Sequence, residues 1–180
     1  LAKTALMKSG ISVEETFLTS KEEPALIFSF LNEIPYFEAA SFADAEALSS
    51  ALQTLRSLIT ENESMVLKEK LSCGEFKDKN DALISVYEKY ISLLHSAGKI
   101  DHIGLIRRAI DASKPFDAEF VMLKEFPLTP LEEHLLSFLS QGSFKVLTMT
   151  ELFNGDAKPV SISGYTESYG EINEVLHILT

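Results

Sequence analysis

The feature that most constrains the fold is a strand–helix–strand pattern between residues 120 and 147. Phe120–Leu123 is an apolar run of residues that favour β-structure, and Phe144–Leu147 is a second one. Between them, Thr129 is a good helix-capping residue and Pro130 suits a first helical turn, ahead of leucines at helical spacing. This order predicts a β-α-β crossover, which favours parallel pairing of the two strands.

Most of the chain before this pattern is predicted to be helical. Three helices are indicated by a capping residue or a glycine stop combined with apolar residues at helical spacing. They are a helix capped by Ser41 with Leu48, Leu52, Leu55 and Ile59, a helix with Leu83, Tyr87, Tyr90 and Leu94 that ends at Gly98, and a helix capped by Asp101 with Ile103, Ile106 and Ile110.

Other segments give further expectations. Ser20 with Glu23 predicts a capping box for a helix that ends near Pro35, and a short helix is expected around residues 66–71. The charged residues 75–81 are expected to form a solvated loop, and Val160–Ser163 is expected to be a third strand. The predicted fold class is therefore α+β and mostly helical. A helical subdomain of residues 1–112 would pack beside a small α/β unit of residues 113–180 with a short parallel sheet.

The segment from Phe120 to Thr129 resembles the metal-binding strand of the UvrD-like helicases. There, a hydrophobic strand leads into Asp-Glu-aromatic-Gln-Asp-Thr, in which the Asp holds magnesium and the Glu activates the attacking water. In this chain Lys124 stands at the Asp position, while Glu125, Phe126 and Thr129 match the Glu, the aromatic residue and the Thr. Because an ammonium group cannot ligate a cation, the resemblance implies a motif that no longer hydrolyses ATP.

Two neighbouring patterns extend the resemblance. The helix with Tyr87 and Tyr90, followed by Asp101-His-Ile-Gly-Leu-Ile, is similar to the tyrosine-rich helix and Asp-aromatic-x-Asp-Leu-Leu signature that precede the acidic strand in that family. Residues 158–163 and 170–175 resemble a strand and an Asn-Glu-Val helix in AddB/RexB-type subunits. Together they imply an inactivated helicase region, with residues 1–112 like an accessory domain and residues 113–180 like a degenerate motor domain.

The function implied by this resemblance is a catalytically inactive scaffold in a bacterial helicase-nuclease that repairs DNA double-strand breaks. Its partners would be a helicase subunit and, through a longer parent protein, DNA ends. The chain begins at Leu1 and its last predicted helix reaches Thr180 without a stop signal, so a segment of a longer protein is expected. Lys124, Glu125 and Thr129 would be vestigial positions, with no catalytic residue and no cofactor.

Charge limits how such a segment could contact DNA. The net charge is −11, so the isolated chain is expected to bind DNA weakly or not at all. Its one local group of basic residues, a candidate DNA-facing cluster, consists of Lys99, Arg107, Arg108 and Lys114. An ordinary solvated helix face would give the same pattern.

Several other chemistries lack a sequence signature. The chain has no Gly-x-x-x-x-Gly-Lys-Ser/Thr loop for phosphate, its four histidines lack metal-ligand spacing, and Cys73 is its single cysteine. No run of apolar residues approaches the length of a membrane span, so a cytoplasmic location is expected.

Two alternatives remain open at this point. A helical adaptor that binds protein partners, without any nucleic-acid role, would present an exposed apolar groove on the helices at 42–60 and 83–94. A surviving ATPase half would use Glu125 with metal ligands from elsewhere, but Lys124 would then place positive charge at the magnesium position.

Overall fold

The computed structural model describes residues 1–72 and 75–153, and its regular elements are mainly helices. The predicted strand Val160–Ser163, the pattern at residues 170–175 and Cys73 lie outside the described residues. The helices are α1 (Ala2–Lys8), α2 (Glu23–Leu31), α3 (Phe42–Leu58), α4 (Glu63–Ser72), α5 (Lys77–Ser96), α6 (His102–Ala112), α7 (Pro130–Leu139) and α8 (Met149–Phe153), with a 3-10 turn at Pro35–Phe37. The strands are β1 (Thr16–Phe17), β2 (Lys99–Ile100), β3 (Phe120–Leu123) and β4 (Phe144–Leu147).

Side-chain caps fix the start of three of the predicted helices. Ser41 and Asp44 form a reciprocal capping box at the start of α3, and Thr129 with Glu132 does the same for α7. The Asp101 side chain accepts a hydrogen bond from the backbone N–H of Gly104 and so caps α6. All three caps confirm the predicted helix starts, because a side-chain oxygen satisfies an N–H group that the helix leaves without a partner.

The crossover predicted from residues 120–147 is confirmed. β3 and β4 pair in parallel, with Phe120 opposite Phe144 and Leu123 opposite Leu147, and α7 connects them. A second, shorter parallel pair joins β1 to β2, and the sequence did not predict it, because two-residue strands have no measurable alternation. The described part of the chain is thus a mostly helical α+β fold, as expected.

Two hydrophobic cores hold these elements together. The first core contains buried side chains from α2, α3, α4 and α5, including Ile27, Leu52 and Tyr90. The second contains buried side chains from α1, α6 and α7, with Phe120 of β3 packed against it. Because α1 and α6 precede residue 112 and α7 follows it, the second core includes elements from both sides of the expected domain boundary. That boundary remains a prediction.

The expected capping box at the start of α2 is wrong. The N-cap residue is Glu22, whose carboxylate accepts hydrogen bonds from the backbone N–H and the hydroxyl of Thr19 at 2.9 and 2.8 Å. Thr19 and Glu22 thus have the three-residue spacing that was expected of Ser20 and Glu23, one position earlier in the chain. Glu23 instead points into the protein and is only 3% exposed, and the helix ends at Leu31, four residues before Pro35.

The predicted solvated loop at residues 75–81 is also wrong in part. α5 begins at Lys77, and the backbone N–H of Asn80 donates to the carbonyl oxygen of Phe76 at 2.9 Å. Charged side chains are compatible with the exposed first turns of a helix, so a high charge density does not by itself mark a loop. Among the helices that the structure describes, none combines the length and apolar character needed to cross a membrane.

Candidate functional site

Lys124 and Glu125 lie directly after β3, at the carboxyl ends of the two parallel strands. The backbone N–H of Lys124 donates to the carbonyl oxygen of Leu147 at 2.8 Å, which extends the pairing with β4 by one residue. Both side chains are exposed to solvent. The two residues therefore occupy the edge of the sheet at which α/β proteins commonly bind ligands.

The Glu125 carboxylate has a local partner at this edge. Its Oε1 accepts a hydrogen bond from the backbone N–H of Met149, the first residue of α8, at 3.1 Å. Next to it, the backbone N–H of Thr148 donates to Glu151 at 2.7 Å. Glu125 thus helps to cap a short helix. No group of three or more potential metal-binding residues occurs in residues 1–72 and 75–153.

Thr129, the third vestigial position, has a structural role as the cap of α7. Its hydroxyl and backbone N–H both donate to Glu132 at 2.8 Å. The imidazole Nε2 of His102 lies 3.7 Å from the other oxygen of Glu132. Hydrogen bonding from His102 and from Thr129 lowers the pKa of Glu132 to about 2. Thr129 is therefore explained by helix capping.

A second site lies where α3, α4, α5 and α6 meet, and its charged side chains are buried or partly buried. We call it the buried charge cluster, and it consists of Arg56, Glu63, Tyr90, Asp101 and Arg107. Asp101 is fully buried, and Arg56 is 2% exposed. Charged residues are almost never buried to this extent unless they are paired, so the contacts within the cluster decide whether the fold is stable.

Asp101 is at the centre of the cluster. One of its oxygens accepts a hydrogen bond from the Tyr90 hydroxyl at 2.8 Å and forms an ion pair with the Arg56 guanidinium. The other accepts from the backbone N–H of Gly104 at 2.7 Å, and Gln53 lies 3.5 Å from the first. The single carboxylate thus joins α3 and α5 to the start of α6.

Arg56 and Arg107 share Glu63 between them. The Arg56 Nε donates to one oxygen of Glu63 at 2.5 Å, while Arg107 forms an ion pair with the other oxygen. Arg107 also donates to the backbone carbonyl oxygens of Arg56 at 3.0 Å and of Ile59 at 2.7 Å. Because these carbonyls lie at the C-terminal end of α3, Arg107 supplies hydrogen bonds that a helix end lacks.

The pKa values in the cluster reflect burial and pairing together. Burial alone would lower the pKa of Arg56, but the carboxylates of Asp101 and Glu63 outweigh it and hold that pKa above its ordinary value. Burial would raise the pKa of Asp101, but Arg56 and the hydrogen bonds lower it. Burial raises the pKa of Tyr87 to about 12 and also raises that of Tyr90. At neutral pH, Arg56 and Asp101 are therefore an ion pair and Tyr90 is a neutral donor.

The candidate DNA-facing residues do not form one group of free cations. Arg107 belongs to the buried charge cluster, and Arg108 forms an ion pair with Glu15. Lys99 lies 4.0 Å from Glu22, and the Lys114 side chain is exposed. Three of the four positive charges thus face a carboxylate, which lowers the local positive potential. Whether any of them faces DNA remains a prediction.

Sequence reasoning named Tyr90, Asp101 and Arg107, but it missed Arg56, Glu63 and Gln53. One signal was available for Arg56. It follows Leu52 by four residues and Ala45 by eleven, and both are buried residues of α3. An arginine on the buried face of a helix requires a buried carboxylate partner, and the sequence predicted Asp101 as the cap of α6. Glu63 lies near the start of α4 and carried no such signal.

No protein-family model and no curated protein sequence matches the chain.

Proposed function

We propose that this chain is a catalytically inactive, helicase-like scaffold segment of a bacterial helicase-nuclease that repairs DNA double-strand breaks. The observation that carries the proposal is the end of β3. A parallel β-α-β crossover brings Lys124 and Glu125 to the edge of the sheet where a nucleotide-binding protein would hold its metal and its catalytic base. Lys124 cannot ligate magnesium, and Glu125 accepts a hydrogen bond from the backbone of Met149.

The buried charge cluster also supports the proposal. Tyr90 and Asp101 belong to the pattern that resembles the helicase signature, and their side chains are hydrogen-bonded to each other in the protein interior. A pair that is buried at a junction of helices serves positioning rather than chemistry. A scaffold would keep such residues even after the metal site was lost.

The ATPase alternative has weaker support. It would need Glu125 as the base, with the metal held by residues other than Lys124. Both side chains are exposed and could meet groups from elsewhere, but the positive charge of Lys124 opposes a divalent cation at this position. We therefore retain the inactive scaffold.

The adaptor alternative has one observation in its favour. A groove of about 360 Å³ lies between the end of α3 and α4, and its lining is mainly apolar. Leu55 and Leu58 on its border are 41% and 55% exposed, and Leu55 is one of the apolar residues at helical spacing that predicted α3. The lining includes both Glu61 and Lys70, so its charge does not select a class of partner. Substitutions that alter the groove therefore separate the adaptor from the scaffold.

Genetic complementation tests the scaffold proposal. A bacterium that encodes the chain would be deleted for the gene and exposed to an agent that breaks both DNA strands. We expect the deletion to lower survival and the Glu125→Gln variant to restore it fully, as should Glu133→Gln, a control at an exposed position on α7. Normal survival of the deletion strain would contradict the repair role, and failure of Glu125→Gln alone would favour the ATPase alternative.

A binding measurement tests the DNA-facing residues directly. Fluorescence anisotropy of a labelled duplex should show an affinity no better than about 10⁻⁴ M for this chain at physiological salt, because its net charge is −11. In the parent protein, replacing Arg108 and Lys114 with alanine should weaken binding to DNA ends only if this face lines the DNA path. The matched variant Leu55→Glu with Leu58→Glu alters the groove instead, and loss of a protein partner in that variant alone would favour the adaptor.

A further inference from the structure

Glu23 is a buried acidic residue that takes no part in the ion pairs of the buried charge cluster. It is the first residue of α2, and it is 3% exposed. Its Oε2 accepts a hydrogen bond from the Ser49 hydroxyl of α3 at 3.3 Å. Among the residues that the structure describes, no lysine, arginine or histidine lies within ion-pair distance of its carboxyl group.

The adjoining buried charge cluster is already balanced without Glu23. Arg56 and Arg107 supply two positive charges, and Glu63 and Asp101 supply two negative charges. An ionised Glu23 would add a third negative charge next to Asp101 without a cation of its own. Burial of an unpaired charge is costly, so a neutral carboxyl group is the form that fits this site.

We propose that Glu23 is a pH-sensitive lock: while its carboxyl group is neutral, α2 stays docked on the buried charge cluster, and its ionisation at rising pH loosens α2 from this junction. The lock would regulate how firmly α2 is held, which is independent of whether the chain acts in DNA repair. It would make the stability of this junction fall over a pH range in which the ion pairs of the cluster persist.

The groups that face Glu23 come from every helix packed around it. α2 packs against α3 and α5, which present Ser49, Gln53 and Arg56 from α3 and the phenol of Tyr90 from α5, and Asp101 approaches from the N-cap of α6. Burial is the largest effect and raises the pKa of Glu23, and the charge of Asp101 raises it further. Hydrogen bonds from Ser49 and Gln53 and the charge of Arg56 oppose the rise without cancelling it.

The direction of the pH effect follows from linkage. An acid whose pKa is higher in the folded state stabilises the fold most at a pH below its unfolded pKa, which is about 4.3 for Glu. As the pH rises from there, the carboxyl group ionises first in the unfolded state, which lowers the free energy of that state. The stability of the fold therefore falls until the carboxyl group has ionised in the folded state too. Within that window, each pH unit multiplies the opening constant of α2 by up to about tenfold.

Hydrogen exchange read by mass spectrometry, corrected for intrinsic rates, tests the proposal between pH 5 and pH 8.5. In the wild-type chain, the corrected opening of α2 should increase with pH. In Glu23→Gln, which keeps an oxygen acceptor for Ser49 without a charge, α2 should open to the same small extent at every pH. The control Glu38→Gln changes an exposed glutamate beyond the 3-10 turn and should behave like the wild type. Equal pH dependence in wild type and Glu23→Gln would overturn the lock.

A second measurement needs no variant. The carboxyl carbon of Glu23 can be followed by NMR in the wild-type chain labelled with ¹³C-glutamate, and its resonance should move only at a pH well above that of exposed glutamates. A resonance that shows an ionised carboxyl group throughout pH 5–8 would equally overturn the proposal, whatever the fate of the Glu23→Gln variant.

Discussion

The buried charge cluster and the carboxyl ends of β3 and β4 each contain residues of the proposed helicase-like motifs, and they differ in their surroundings. Around Asp101, the ion pairs of Arg56, Glu63 and Arg107 lie inside the protein, and four helices depend on the contacts of the cluster. Around Lys124 and Glu125, the side chains are exposed, and one backbone hydrogen bond holds Glu125. Motif resemblance therefore does not distinguish a residue that holds helices together from one that lies at an exposed edge, whereas burial does.

The largest expected effect is on the cluster. Arg56→Met would leave Asp101 buried without its cation and should lower the free energy of unfolding by about 3–5 kcal/mol. Urea denaturation at pH 7 measures this change. Arg108→Met is the matched control because it breaks the partly exposed pair with Glu15, where a loss below about 1 kcal/mol is expected. Similar losses in both variants would remove the contrast between buried and exposed charges.

A single hydroxyl in the cluster should have the next largest effect. Tyr90→Phe removes the donor to Asp101 at 2.8 Å and should cost about 1–3 kcal/mol, since hydrogen bonds to charged groups are stronger than neutral ones. Thermal or urea unfolding can measure it. Tyr36→Phe provides the control, because that side chain is 53% exposed and its change should be neutral. A neutral Tyr90→Phe would mean that Arg56 and the backbone N–H of Gly104 satisfy Asp101 without the phenol.

The helix cap of α7, which lies between β3 and β4 in the chain, should have a smaller effect. Thr129→Ala removes the capping hydroxyl of α7 and should cost about 1 kcal/mol, while Thr129→Ser should retain most of the stability. Urea denaturation of the two variants separates capping from side-chain volume. If serine were as harmful as alanine, the methyl group of Thr129 would matter more than its hydroxyl.

A smaller effect should depend on pH. The pKa of Glu132 is lowered to about 2, so its ionised form contributes stability above its unfolded value and loses this contribution as the pH falls toward 2. Glu132→Gln should therefore be less stable than wild type at pH 7, by less than about 1 kcal/mol because the pair with His102 is partly exposed. The difference should vanish near pH 2 in acid unfolding curves. A difference that stayed constant with pH would point to packing.

The smallest expected effect is at Glu125. Glu125→Gln keeps an acceptor for the Met149 N–H and should change the free energy of unfolding by no more than about 0.5 kcal/mol. Titration calorimetry with Mg-ATP should detect no heat of binding in either form. Heat that appears in the wild type and is lost in Glu125→Gln would show that Glu125 takes part in nucleotide binding. The carboxyl ends of β3 and β4 would then be a functional site.

Local patterns predicted much of this fold, because caps and apolar spacing act over a few residues. The starts of α3, α6 and α7 and the parallel pairing of β3 with β4 follow directly from such patterns. The buried charge cluster does not, because its partners are distant in sequence. The sequence neighbours of Arg56 do not identify Asp101 as its partner, and those of Glu23 do not identify Ser49. Similarly, Ser20 and Glu23 have the spacing of a capping box, but α2 packs with the Glu23 side chain in the protein interior.

The contacts of Arg107 with the last carbonyls of α3 have a consequence for the order of folding. Arg107 donates to Arg56 and Ile59 across separations of 51 and 48 residues, so the end of α3 stays incomplete until α6 arrives. Closing so long a loop has an entropic cost that local helix formation does not. The Arg56–Glu63 contact spans only seven residues and can form early. We expect α3 and α4 to pair first during folding and α6 to pack against them late. In unfolding, α6 should therefore detach first.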